Sequence, residues 1–106
     1  MNHWDHISER DFQRMVIDLA DLTGWVLQYH TYDSRRSNPG FPDLVLVRPP
    51  RILFIELKSQ QGVITPAQKL WKEALDKCPG VESYIWRPTD GDEAQRTLQS
   101  KEKPPD

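Results

Sequence analysis

The sequence predicts a small mixed α/β domain whose elements run helix, three antiparallel strands, helix, strand. Three observations carry that expectation. Apolar residues recur at helical spacing from Phe12 to Leu22 behind a capping serine, Ser8. Two apolar runs, Leu44-Val45-Leu46-Val47 and Ile52-Leu53-Phe54-Ile55-Glu56-Leu57, flank the short link Arg48-Pro49-Pro50-Arg51 and read as a hairpin. Finally, Thr65-Pro66-Ala67-Gln68 opens a second helix that leads into an alternating run over residues 81–86. A strand–helix–strand path crosses over right-handed, so the last strand lies parallel to the third and makes a mixed four-stranded sheet flanked by helices.

In chain order, Ser8 caps the first helix, Asp11 stands three residues on, and Ile7 with Phe12 can form a hydrophobic staple. Phe12, Met15, Val16, Leu19, Ala20 and Leu22 give the core face, and Gly24 follows as the left-handed stop. Glu9 and Gln13, four apart, share one flank. Residues 25–30, Trp-Val-Leu-Gln-Tyr-His, have the β-rich composition of a first strand, with His30 a structural residue at its end. The polar segment 31–40 that follows is longer than most connections, as functional loops tend to be, and Arg35, Arg36 and Ser37 there suit phosphate contacts. In the second helix Ala67, Leu70, Trp71, Ala74 and Leu75 form the expected buried stripe, with Lys69 and Lys72 elsewhere on it, and Pro79-Gly80 ends it. A short terminal helix runs from about Thr89 through Gln99, and residues 101–106 read as a disordered tail behind one domain over residues 1–100.

The hairpin carries the chemistry. If its link is symmetric about Pro49-Pro50, Val47 faces Ile52, Val45 faces Phe54 and Asp43 faces Glu56. Alternation puts Leu44, Leu46, Leu53, Ile55 and Leu57 on one side, and Asp43, Val45, Val47, Ile52, Phe54, Glu56 and Lys58 on the other. Like charges directly opposite each other, with Cβ atoms about 4.5–5.5 Å apart, destabilise a sheet, so something must offset the repulsion. A hard divalent cation does so economically: Mg²⁺ takes one or two carboxylates, keeps several waters and leaves positions for phosphate. Taken alone, Glu-x-Lys is a commonplace surface pair. Its apolar setting, beside Phe54 and Ile55 in a central-looking strand, is what distinguishes it here.

Composition sets the outer bounds. A chain of 106 residues with 37% hydrophobic and 28% charged content suits one soluble domain with a single modest core. The lone cysteine, Cys78, leaves no intrachain disulfide, no apolar run is long enough to span a bilayer, and the first five residues are not a signal peptide. A cytoplasmic home is expected. The net charge of −2 argues against a protein that coats nucleic acid, though local charge decides for an enzyme that acts on it.

Gly40-Phe41-Pro42-Asp43, then Glu56-Leu57-Lys58, then Thr65-Pro66-Ala67-Gln68 resembles the VRR-NUC family, the virus-type replication-repair nucleases of the PD-(D/E)xK superfamily. The resemblance runs from about Ser8 through Pro88 and takes in Glu9, Gly24-Trp25 and Trp86-Arg87-Pro88. It implies a restriction-endonuclease-like αβββαβ core and phosphodiester hydrolysis dependent on Mg²⁺ or Mn²⁺. By that resemblance Asp43, Glu56 and the backbone carbonyl of Leu57 hold metal. Lys58 orients or deprotonates the attacking water, Gln68 supports, and Glu9, or Gln13 a turn later, completes the site from the helix. Arg35, Arg36, Ser37, Lys69 and Lys72 are the expected DNA contacts. Single-domain members resemble junction-resolving nucleases of phage or prophage origin, which implies branched DNA as substrate, a bacterial host cell and a C2 homodimer, with Trp4 a candidate for its interface. A flap or general DNA nuclease, and a non-catalytic nucleic-acid-binding module, are the alternatives.

Overall fold

The computed structural model describes residues 7–31 and 38–105. Its elements, numbered in chain order, are α1 (Glu9–Leu22), β1 (Leu27–His30), β2 (Leu44–Arg48), β3 (Arg51–Leu57), α2 (Pro66–Asp76), β4 (Glu82–Trp86) and, after a 3₁₀ turn over Pro88–Asp90, α3 (Gly91–Gln99). The sheet order is β1-β2-β3-β4, antiparallel except for the parallel β3–β4 pair. This is the expected mixed sheet.

Local chemistry starts and stops each helix. The Ser8 hydroxyl accepts the Asp11 backbone N–H at 3.1 Å, and beyond the Thr23 cap Gly24 turns left-handed at φ 91°. At α2, Thr65 Oγ1 accepts the Gln68 N–H at 3.1 Å while Gln68 Oε1 accepts the Thr65 N–H at 2.9 Å, a reciprocal capping box.

The hairpin register matches the symmetric expectation: Val45 pairs with Phe54, Val47 with Ile52 and Arg48 with Arg51 across a cis Pro49–Pro50 link. Leu44, Leu46, Leu53, Ile55 and Leu57 are buried on the face covered by α1 and α3, where Phe12, Val16, Ala20, Ala94, Leu98 and Trp86 complete the core. Asp43 and Glu56 belong to the opposite side.

Three expectations need correction. Leu22 is 83% exposed, because helical spacing turns it away from the buried Phe12, Val16 and Ala20 stripe. Trp25 precedes β1 and is fully buried in the core, its indole N–H donating to the Leu98 carbonyl at 2.9 Å. On α2 no residue is buried: Trp71 and Leu75 are half-buried, Ala74 is exposed and Leu70 is 68% exposed. The reason is placement. The helix packs against β4 and, among the described residues, the β1–β2 half of that face is left open.

Around Trp25 the two link arginines tie the hairpin to the end of α3. Their guanidinium carbons stand 4.3 Å (Arg48) and 5.0 Å (Arg51) from the ring centroid. Arg48 donates to the carbonyls of Thr23 (2.6 Å) and Leu98 (3.1 Å), Arg51 to that of Thr97 (3.0 Å), and both reach the Ser100 carbonyl. Carbonyls at a helix C-terminus lack helical partners and carry partial negative charge, so two cations there satisfy both deficits. Arg51 also makes a buried bidentate pair with Glu82, at 2.8 and 2.7 Å.

Candidate active site

Asp43 stands one residue before β2 and Glu56 one residue before the end of β3, so the hairpin register sets them opposite each other. Each has one further anchor. Asp43 Oδ2 accepts the Leu57 backbone N–H at 2.8 Å, and Glu56 Oε2 accepts the Gln68 side-chain amide at 2.7 Å. Gln68 therefore does two jobs from one position, closing the α2 capping box with its oxygen and holding Glu56 with its nitrogen.

The electrostatics follow from burial. Glu56 is only 7% exposed, and desolvation first, then the charge of Asp43, pushes its carboxyl up to about 8 from an ordinary 4.5. A hydrogen bond between the two carboxyl groups and the charge of Glu9 add to this, while Lys58 opposes it. Burial also raises Asp43, against the pull of the Leu57 N–H. Without a counter-cation the pair holds a proton at neutral pH. Two adjoining oxygen-donor groups that resist carrying two charges are what a hard divalent cation relieves, so the residues present fit such an ion.

Glu9, the first residue of α1, is exposed, and its charge acts on both Asp43 and Glu56. Among the described residues no group of three or more His, Cys, Asp and Glu side chains is gathered closely enough to hold an ion. Gln13 is half-buried and makes no hydrogen bond to either carboxylate. Lys58 follows β3 directly, and its stem runs past Gly62, where a Cβ would come within 3.4 Å of the Lys58 Cδ and 2.9 Å of Ser59 Oγ.

The expected DNA contacts divide. Lys69 is exposed on α2, whereas Lys72 is engaged by Asp76 one turn on at 2.7 Å, which balances its charge locally. Arg35, Arg36, Ser37 and Trp4 lie outside the described residues. His30 Nε2 sits 3.1 Å from Gln28 Oε1 and Cys78 is exposed at the end of α2.

Sequence reasoning gave no role to the brace behind Asp43. Gly40, at φ 83°, lies against the first turn of α2 so closely that a Cβ would meet Ala67 C at 2.3 Å, Ala67 O at 2.4 Å and Gln68 N at 2.6 Å. The Trp71 indole N–H donates to the Pro39 carbonyl at 3.1 Å, and the Phe41 ring stands edge-on to both Trp71 (5.1 Å) and Phe54 (6.3 Å). The segment bearing Asp43 and the helix bearing Gln68 are thus locked together. Gly-x-Pro before the acid was the available signal. A cleft of about 780 Å³ lies elsewhere, lined among others by Tyr84, Arg96 and Lys103, and does not include the carboxylates.

The αβββαβ order and the mixed four-stranded sheet flanked by three helices define an α/β domain. Residues 1–88 match the model of the VRR-NUC domain, and the chain belongs to that nuclease family. A solved VRR_NUC domain protein superposes with a TM-score of 0.65 at 22% identity, over 88% of this chain and 86% of that one. The single Ig IL-1-related receptor of Homo sapiens is 35% identical over 93 residues, which are 88% of this chain. The chain spans 22% of that receptor's length.

Proposed function

We propose that the protein is a divalent-metal-dependent endonuclease that cuts branched DNA, four-way junctions foremost, as a homodimer. The observation that carries this reading is the Asp43–Glu56 pair, Glu56 buried and Asp43 half-buried, each acid separately anchored, Glu56 under the charge of Asp43 and both under that of Lys58. Among the described residues no helix is long and apolar enough to cross a membrane.

Asp43 and Glu56 would hold Mg²⁺ or Mn²⁺, joined by the Leu57 carbonyl, which in a strand lies along the same edge as the Leu57 N–H already turned to Asp43. When bound, such an ion supplies acidity to water at neutral pH and positive charge to a phosphodiester in its transition state. The chain's own groups do the rest. Gln68 and the Leu57 N–H keep the two carboxylates from swinging apart, which preserves the geometry on which rate depends. The Lys58 ammonium orients the attacking water and balances charge as it builds on the phosphate oxygens. Glu9 acts at longer range and adds negative field through water.

Incubation of labelled four-way junction, flap and linear duplex DNA with Mg²⁺, Mn²⁺ or EDTA tests the proposal. Symmetric junction cutting is expected with either metal and none with EDTA, Asp43→Ala or Lys58→Ala, while binding persists. Equal cutting of all three DNAs would make it a general nuclease. Binding without metal-dependent cutting would make it a binding module.

A further inference from the structure

Among the described residues, one face of the sheet is only half covered. α2 sits over its β4 side, and the exposed β1 side chains Leu27 and Tyr29 stand on the open half beside Val45, Val47 and Ile52. Cross-strand partners share a face: Tyr29 pairs with Val45, which pairs with Phe54, so Tyr29 is on the side that carries Asp43 and Glu56. The Thr31 N–H donates to the Asp43 carbonyl at 2.8 Å, extending the β1–β2 ladder as far as the first catalytic acid. That makes Tyr29 a diagonal neighbour of Asp43, about 7–8 Å away. Its ring is 60% exposed and its hydroxyl has no hydrogen-bond partner among the described residues.

An aromatic ring lying open on a sheet, one step from where a phosphate is held, is the arrangement that receives an unstacked base. We infer that Tyr29 is a substrate-binding residue, stacking on an unpaired base next to the scissile phosphate, with Leu27 and Val45 as its apolar surroundings. The inference rests on the nuclease reading above and adds what that site selects. A continuous duplex keeps its bases stacked and offers Tyr29 nothing, whereas a branch point frees a base for it. Selection of branched DNA then comes from this face as well as from any pairing of copies.

The test places 2-aminopurine in turn at each branch-point nucleotide of a four-way junction and reads its fluorescence with protein in EDTA, where no cutting is needed. Quenching is expected at one or two positions with wild type and Tyr29→Phe, and its loss with Tyr29→Ala. With Mg²⁺, Tyr29→Ala should raise KM about 5- to 150-fold with kcat nearly unchanged, as loss of one stacked base implies. An abasic nucleotide at the quenched position should erase the difference between wild type and Tyr29→Ala. No quenching at any position overturns the inference, as does an equal penalty on abasic DNA. A shift of Tyr29→Ala from dimer to monomer in sedimentation also overturns it, by assigning the face to a second copy. Failure of wild type to cut any DNA sinks the nuclease reading alone, because the fluorescence still reports on Tyr29.

Discussion

A buried carboxyl that resists ionisation leaves a thermodynamic mark. Glu56 binds its proton up to about pH 8 in the folded chain but only to about 4.5 when unfolded, so between those values the folded state carries more proton. Stability of the metal-free protein therefore falls as pH rises through that window and levels off above it. Glu56→Gln keeps an oxygen to accept from Gln68 and removes the titration. Thermal unfolding in EDTA should show the variant more stable than wild type at pH 8 by on the order of 1 kcal/mol, roughly 4–8 °C for a domain this size, with the gap closing toward pH 5. Divalent cation should reverse the order at pH 8, stabilising wild type and not the variant, and a variant no more stable than wild type in EDTA would contradict the account. These two acids were legible in the sequence because a hairpin with a symmetric link has only one register to read. The partner of Lys72 was not, since helical spacing gives its flank but not that its ammonium bonds Asp76 one turn on.

The elements were largely readable and their contacts were not. Caps, the Gly24 stop and strand alternation are local chemistry, and they appear where the sequence put them. The α2 stripe misled because amphipathic spacing presumes a partner wide enough to cover it, and here the helix meets only part of the sheet. Gly40 shows the same limit from the other side. Its left-handed φ can be guessed from turn chemistry, but its contact with the α2 backbone joins segments distant in sequence. Gly80 offers a control, with φ 82° and nothing within 4 Å of its would-be Cβ. Alanine at either position strains the backbone by about 1–3 kcal/mol. Only Gly40→Ala should exceed that range in denaturant unfolding and also depress cleavage, since it pries the Asp43 segment from the helix bearing Gln68. The Arg51–Glu82 pair makes a second test at this scale. Arg51→Met strands a buried carboxylate and should cost about 3–5 kcal/mol in denaturant unfolding, and adding Glu82→Leu should recover part of the loss.

Taken whole, the chain carries a net charge of −2, and its described residues hold one such carboxylate pair, Asp43 with Glu56. A four-way junction has two equivalent strands to cut, and resolving it within one encounter takes two sites related by the junction's own two-fold symmetry. The proposed homodimer supplies them, and mixing experiments can count them. Asp43→Ala removes an anchor on the carboxylate side while the sheet, the core and the open face remain. Co-refolded with wild type, it should form mixed dimers that nick one strand and leave the opposite one whole. With equal amounts of the two chains and random pairing, about half of the dimers are mixed and about a quarter fully active. Nicked junction should then accumulate at the expense of linear duplex products, which denaturing and native gels of the same reaction distinguish. If the chain acts as a monomer, the inert protein only competes for junction. Total cutting would fall, and the ratio of nicked to resolved product would be unaffected by added Asp43→Ala protein when total cutting is matched by diluting the wild-type protein alone.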